Sequence, residues 1–155
     1  MTVKAIPDGY TSITPYLTVD DGKRAIEFYT RAFGATERGA MAAPDGRIAH
    51  AELQIGDAVV MLSDEFPQSA CGTPKELGGT TVAIFLYVED VDLLVRAAAD
   101  AGGSVTMEPA DQFWGDRLGQ VTDPFGHVWL IATRVEDLKP EEIQARSREV
   151  FASMG

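Results

Sequence analysis

The chain contains one internal repeat, and this repeat limits the possible folds more than any other feature of the sequence. The segment YLTVDD at Tyr16–Asp21 is echoed 69 residues later by FLYVED at Phe85–Asp90. The glycines that follow each segment, Gly34 and Gly103, keep the same spacing. A repeat of this length indicates two copies of one supersecondary unit that pack together.

Each copy predicts one strand, one helix and three more strands. Alternation of apolar and polar side chains predicts first strands near residues 11–19 and 80–88. An acidic N-cap followed by an apolar stripe predicts helices at Lys23–Phe33 and Asp92–Ala101. The remaining strands are expected near 36–42, 47–55 and 58–63 in the first copy, and near 104–107, 117–122 and 127–133 in the second.

These elements predict an α+β fold made of two βαβββ modules. The first module is assigned to residues 10–65 and the second to residues 80–135, with residues 66–79, rich in Pro, Gly and Ser, as the linker. Residues 139–154 are expected to form a C-terminal helix, because a proline and two glutamates occupy its first turn.

Charge and composition exclude several classes of protein. The net charge is -11, which argues against nucleic acid and against anionic membranes as partners. No apolar run reaches the roughly 18 residues of a spanning helix, and the first residues lack a secretory signal pattern. The single cysteine, Cys71, cannot form a disulfide within the chain. A cytoplasmic protein is therefore predicted.

Two motifs resemble the glyoxalase/bleomycin-resistance/dioxygenase superfamily, also called the vicinal oxygen chelate superfamily. The run AIEFYTRAFG at Ala25–Gly34 looks like its first helix, and DPFGHVWLI at Asp123–Ile131 looks like its last hairpin. The run DQFWGD at Asp111–Asp116 is similar to the PhnB-like branch. The resemblance implies that the modules curl into a cup of mixed and antiparallel strands, with alternate side chains facing the helices and the cup.

The resemblance also locates the positions where metal-dependent members hold a divalent ion. Those members carry His, Gln or Glu on the first and last strand of each module. The corresponding positions here hold Thr14, Met61, Ala83 and Leu130, none of which is a good ligand for zinc, nickel, iron or manganese. We therefore predict no metal and no other cofactor at the superfamily site.

Strand alternation selects the candidate site residues. His50 and Glu52 lie two residues apart on one strand, so their side chains point the same way, and a carboxylate beside an imidazole suits acid–base chemistry. The other interpretations of this pair are a polar patch on the cup wall and a contact in a dimer. The candidate ligand-binding residues are cup-facing or lie on an irregular stretch beside the cup: Tyr16, Phe85, Tyr87, Trp114 and Gln120. The aromatic residues could equally fill the cup.

Three further expectations concern individual side chains. Ile13 is predicted to face the helix with Leu17 and Val19, because alternate residues share one face of a strand. Trp129 is predicted to be a core residue for the same reason. Asp116 and Arg117 are expected to pair with each other on the surface, and the alternative is that they bind an anionic group of a ligand.

The sequence is compatible with three hypotheses of function. The first is metal-independent binding of a small molecule in the cup, as in bleomycin-resistance proteins. The alternative is a lyase or isomerase that uses His50 and Glu52 as acid and base, or in a relocated metal site. The third is an interaction protein whose cup is filled. A homodimer is predicted, because an isolated cup sheet leaves open edges that a second copy would cover.

Overall fold

The computed structural model describes residues 2–155, which fold into alternating strands and helices. In chain order these are β1 (Tyr16–Val19), α1 (Gly22–Phe33), β2 (Thr36–Ala42), β3 (Ile48–Ile55), β4 (Ala58–Asp64), α2 (Pro74–Leu77), β5 (Ala83–Tyr87), α3 (Val91–Asp100), β6 (Ser104–Asp111), β7 (Asp116–Thr122), β8 (Val128–Arg134) and α4 (Pro140–Met154). Within these described residues, no helix is both long and apolar enough to cross a membrane.

The strands form two four-stranded sheets with the same topology. The strand orders are β1-β4-β3-β2 and β5-β8-β7-β6. The pairs β1–β4 and β5–β8 are parallel, and the other neighbours are antiparallel. The predicted α+β fold of two βαβββ units with mixed sheets is therefore confirmed, as is the C-terminal helix. The cup is open rather than closed.

Local signals position the first helix of each unit. The side chain of Asp21 accepts a hydrogen bond from the backbone N of Arg24, and Asp90 does the same for Leu93. Gly34 ends α1 in the left-handed conformation, which glycine adopts without a steric penalty. The helices therefore begin and end close to where the repeat predicts.

One hydrophobic core joins the two units. Helix α1 packs against α3. The ring of Trp129 on β8 lies 4.7 Å from that of Phe33 and 5.4 Å from that of Tyr29, both on α1. Trp129 and Tyr29 are fully buried, so the prediction that Trp129 is a core residue is confirmed. The units share their apolar side chains instead of folding around separate cores.

The first strand is shorter than the alternation predicts. Pairing with β4 begins at Tyr16, opposite Met61, and Leu17 and Val19 enter the core. Ile13 lies before the strand and is 85% exposed, so its predicted contact with the helix is wrong. The linker also contains structure, because Thr73 caps the short helix α2 and Pro74 packs against Gly126.

Helix α4 is attached to the surface by few contacts. None of its residues is buried. Arg146 makes hydrogen bonds of 2.9 and 3.0 Å to the two carboxylate oxygens of Glu136, and the ring of Phe151 lies 6.4 Å from that of Phe113. The helix is therefore docked beside the loop that carries Trp114.

Candidate functional site

The first sheet carries a hydrogen-bonded chain of three polar side chains on the face opposite α1, called here the first cup face. The hydroxyl of Tyr16 lies 3.0 Å from Nδ1 of His50, and Nε2 of His50 lies 3.2 Å from Oε2 of Glu52. The i, i+2 spacing on β3 accounts for the second contact, since such side chains share a face. Tyr16 on β1 reaches His50 across β4, which lies between β1 and β3.

The chemistry of the partners sets the direction of these hydrogen bonds. An ionised carboxylate only accepts, so Nε2 of His50 donates to Glu52. In a neutral imidazole Nδ1 then accepts from the hydroxyl of Tyr16. About a third of the His50 and Glu52 side chains remains exposed. This arrangement can pass a proton between solvent and a bound molecule.

The residues at the superfamily metal positions do not fit a divalent ion. Thr14 and Met61 line one cavity together with Glu52, whereas Ala83 and Leu130 lie on the second sheet. In residues 2–155, no three His, Cys, Asp or Glu side chains come together as a ligand group. His50 and Glu52 are two potential metal ligands that already bond to each other, and a divalent ion requires more than two protein ligands.

The second sheet carries an aromatic cluster on its equivalent face, the second cup face. The rings of Phe85 and Tyr87 lie 5.0 Å apart. The hydroxyl of Tyr87 and Nε1 of Trp114 both donate to Oδ2 of Asp116, each at 2.8 Å. Asp116 is only 3% exposed, while Phe85 is 44% and Tyr87 61% exposed. The buried carboxylate of Asp116 thus holds the exposed Tyr87 and the half-buried Trp114, and Phe85 lies beside Tyr87. We call Phe85, Tyr87 and Trp114 the aromatic platform.

The same contact affects the ionisation of Tyr87. Its hydrogen bond to Asp116 raises the pKa of the Tyr87 hydroxyl above its usual value, and burial and the negative charge of Asp116 act in the same direction. The hydroxyl therefore stays neutral and remains a donor over the physiological pH range.

Asp116 was not among the candidate site residues selected from the sequence. The expected pairing of Asp116 with Arg117 is wrong, because neighbouring residues on β7 point to opposite faces. Arg117 instead binds both carboxylate oxygens of Asp92 on α3, at 2.7 and 3.0 Å, and also contacts Asp111. The strand alternation of β7 was the signal that could have identified Asp116.

A cleft of about 940 Å³ separates the edge strands β1 and β5. Tyr16 and Phe85 both line it, together with exposed apolar side chains such as Ile13, Leu77 and Val82. His127 also lines the cleft, and its Nε2 donates to the backbone oxygen of Thr18 at 2.9 Å, which links β1 to the start of β8. The cleft therefore connects the two cup faces at their unpaired edges.

The predicted site residues occupy three neighbouring places. Tyr16 joins His50 and Glu52 on the first cup face, and Phe85 and Tyr87 join Trp114 on the second. Gln120 is half-buried on β7, opposite Leu130, which in turn lies opposite Phe85. Among these residues only Tyr16 and Phe85 line the cleft between the strands.

Comparison with known proteins supports the family relationship. The chain is 47% identical over 137 residues to an uncharacterized protein of Mycobacterium bovis, covering 86% of this chain and 90% of the relative. The crystal structure of TioX from Micromonospora sp. ML1 is similar with a TM-score of 0.64 and 26% identity, over 81% of this chain and 99% of TioX.

A second structure bears on the fold alone. The PhnB protein from Bacillus cereus matches with a TM-score of 0.62 over 79% of this chain and 99% of that protein, at 18% identity. The family model described as the Glyoxalase/Bleomycin resistance protein/Dioxygenase superfamily matches residues 10–131. The chain therefore belongs to the glyoxalase/bleomycin resistance protein/dioxygenase superfamily.

Proposed function

We propose that this protein binds a small planar organic molecule on its aromatic platform, without a metal ion. One observation carries the proposal: the exposed rings of Phe85 and Tyr87 lie 5.0 Å apart, and Tyr87 shares the buried carboxylate of Asp116 with Trp114. Offset or edge-on contacts between aromatic rings contribute about 0.5–1.5 kcal/mol each beyond the burial of area. Rings that are already oriented lose less conformational freedom on binding.

The proposed site is completed by a second copy of the chain. The cup faces and the cleft expose large apolar side chains, including Ile13, Val82 and Phe85. Contiguous apolar surface of this kind is typical of an interface or a ligand site. We therefore propose a homodimer in which the partner covers these side chains and encloses the ligand. The partly exposed apolar residues Val150 and Phe151 of α4 would extend the same contact.

The affinity for planar molecules can be tested before the natural ligand is known. The probes are 2-naphthalenemethanol and its fully saturated analogue, which have the same polar group but differ in planarity. A ligand that binds only the folded state raises the melting temperature. We expect stabilisation by the aromatic probe and little by the saturated one, and loss of this difference in Phe85→Leu.

A matched variant tests whether the loss of an aromatic ring outside the platform has the same effect. The ring of Phe66 lies 4.2 Å from the guanidinium of Arg47 and is not part of the platform. Phe66→Leu should therefore keep the preference for the aromatic probe. Equal stabilisation of the unmodified protein by both probes, or a preference that survives Phe85→Leu, would exclude the aromatic platform as the site.

A second candidate function is supported by the chain Tyr16–His50–Glu52. A histidine held between a hydroxyl and a carboxylate is suited to moving a proton, as an isomerase or lyase requires. His50→Gln separates the two candidates, because it removes the imidazole and leaves the aromatic platform unchanged. If His50→Gln still binds a ligand but no longer converts it, the enzyme is favoured. If neither the binding nor the conversion of the ligand changes, binding alone is favoured.

Three further assignments complete the proposal. The run DQFWGD at Asp111–Asp116 supports a place near the PhnB-like branch of the superfamily. The absence of a bound metal stays a prediction, and elemental analysis of protein grown with added metals tests it. About one zinc, nickel or iron per chain, lost with His50→Ala, would instead favour a relocated metal site. A cytoplasmic location likewise stays a prediction.

A further inference from the structure

Residues 4–12 lie across the first cup face, and we call them the N-terminal strap. Side chains and backbone of this strap line a cavity of about 530 Å³ together with Thr14, Glu52 and Met61 of the sheet side. This cavity is distinct from the aromatic platform, which lies on the second sheet. Neither the repeat nor the family motifs gave a reason to expect a segment at this place.

The strap is shaped by its own sequence. The backbone N of Tyr10 donates to the carbonyl of Pro7 at 3.2 Å, and Gly9 adopts a φ of 83°, which favours glycine in this turn. Lys4 pairs with Asp8 at 2.7 Å. These contacts are local, so they define the strap's conformation without attaching it to the sheet.

One contact latches the strap to the sheet. The guanidinium carbon of Arg38 on β2 lies 5.0 Å from the ring centre of Tyr10, the geometry of a cation–π interaction. Gly9 leaves room for this arrangement, because a Cβ there would lie 3.1 Å from Nη1 of Arg38. A cation–π contact at an exposed site contributes about 0.5–1 kcal/mol, so this latch is weak.

The lining of the cavity selects a class of ligand. It contains one carboxylate, that of Glu52, and no cationic side chain. Oε2 of Glu52 contacts His50, which leaves Oε1 for another donor. Hydroxyl groups of Thr11, Ser12 and Thr14 provide further acceptors. An anion would meet the carboxylate directly, and a divalent ion would lack ligands.

We propose that the cavity beneath the N-terminal strap binds a small organic cation with a primary ammonium group, which pairs with Glu52 while the strap closes over it. The ammonium group has three donors and no acceptor, which matches this lining of acceptors. The volume lies within the usual range for small-molecule sites. The proposal does not depend on ligand binding at the aromatic platform.

In the experiment, isotope-labelled protein is titrated with a probe, and its backbone amide signals are monitored by NMR. The probe is butylammonium chloride, compared with sodium butyrate at equal ionic strength. We expect butylammonium to shift the amide signals of residues 5, 6 and 8–12, Glu52 and Met61 in a saturable way, and butyrate to leave them unshifted. Glu52→Gln should weaken the apparent affinity about three- to tenfold, as loss of a partly exposed ion pair implies.

Two pairs of variants make the result decisive. Glu37 is exposed on β2 and does not line the cavity, so Glu37→Gln controls for the change in net charge and should bind normally. Tyr10→Phe keeps a ring for Arg38 and should bind normally, whereas Tyr10→Ser removes the latch and should bind more weakly. Equal effects of butylammonium and butyrate, or equal affinity of the two glutamate variants, would overturn the proposal. Equal affinity of the two tyrosine variants would overturn the role of the strap.

Discussion

The hydroxyl of Tyr29 on α1 donates a short hydrogen bond to the buried carboxylate of Asp123, which lies 94 residues further along the chain. The same carboxylate accepts from Nε1 of Trp129 at 2.9 Å and from the backbone N of Phe125 and His127. Asp123 therefore shapes the turn between β7 and β8 and also fastens this turn to the helix of the other unit.

Removal of this carboxylate should be strongly destabilising. Asp123→Ala leaves two buried side-chain donors without acceptors, for which we expect a loss of about 3–5 kcal/mol in the free energy of unfolding. Tyr29→Phe, which removes one hydroxyl, should cost about 1–2 kcal/mol. Urea denaturation measures both. Asp57→Ala changes an exposed aspartate in the β3–β4 turn and should be nearly neutral; a similar loss in that variant would contradict the assignment.

The raised pKa of Tyr87 gives a prediction for alkaline pH. Its hydrogen bond to Asp116 is the largest cause of the raised value, so Asp116→Asn should move part of the tyrosinate absorbance to lower pH. The pKa of Tyr87 is higher in the folded than in the unfolded protein. The stabilisation by this contact is therefore fully present below pH 10, and it is lost as the pH rises through the folded pKa.

Ultraviolet titration checks the assignment to Tyr87. It compares the unmodified protein, Asp116→Asn, Tyr87→Phe and the double variant. The shift caused by Asp116→Asn should be absent when Tyr87→Phe is also present. An identical titration curve for the unmodified protein and Asp116→Asn would mean that the carboxylate does not control this hydroxyl.

The C-terminal helix should come loose in acid. The hydrogen bonds from Arg146 lower the pKa of Glu136. A lowered carboxyl pKa stabilises docking above the unfolded value of 4.5, and this contribution is lost as pH falls through the folded pKa. The amide signals of α4 should therefore move toward positions typical of a free helix or coil as the pH falls below 4.5.

A variant mimics the acid effect at neutral pH. In Glu136→Gln, trypsin should cleave after Arg146 and Arg148 faster than in the unmodified protein. Glu142 lies in the first turn of α4 and forms no ion pair with Arg146 within 4 Å, so Glu142→Gln provides the control. Equal cleavage of both variants would show that the Glu136–Arg146 contact does not hold the helix.

A charge placed in the cleft should disrupt the proposed dimer. Ile13 is exposed at the cleft, and burying a glutamate there against a partner would require an unpaired charge to leave water. Light scattering should report a dimer for the unmodified protein and a monomer for Ile13→Glu. Leu93 is exposed on α3 and does not line the cleft, so Leu93→Glu should stay dimeric. A monomeric unmodified protein would contradict the proposal.

Much of the fold could be predicted from local patterns. The capping residues Asp21 and Asp90 and the terminator Gly34 act on neighbouring backbone, so the helix bounds follow from the residues around them. Strand alternation likewise predicted that His50 and Glu52 share a face, and their side chains lie 3.2 Å apart. The start of β1 could not be predicted this way, because alternation continues through Ile13 although no strand pairs with it.

The sequence by itself determined the two repeated units and the faces on which most candidate residues lie, because helix and strand periodicity depend on near neighbours. Only the tertiary structure decided which partners those residues meet. Asp116 meets Tyr87 and Trp114 rather than Arg117, and Asp123 meets Tyr29 across the two units. Strand alternation already places Asp116 and Arg117 on opposite faces, but the partners on each face depend on how the strands and the two units pack, which no spacing along the chain encodes.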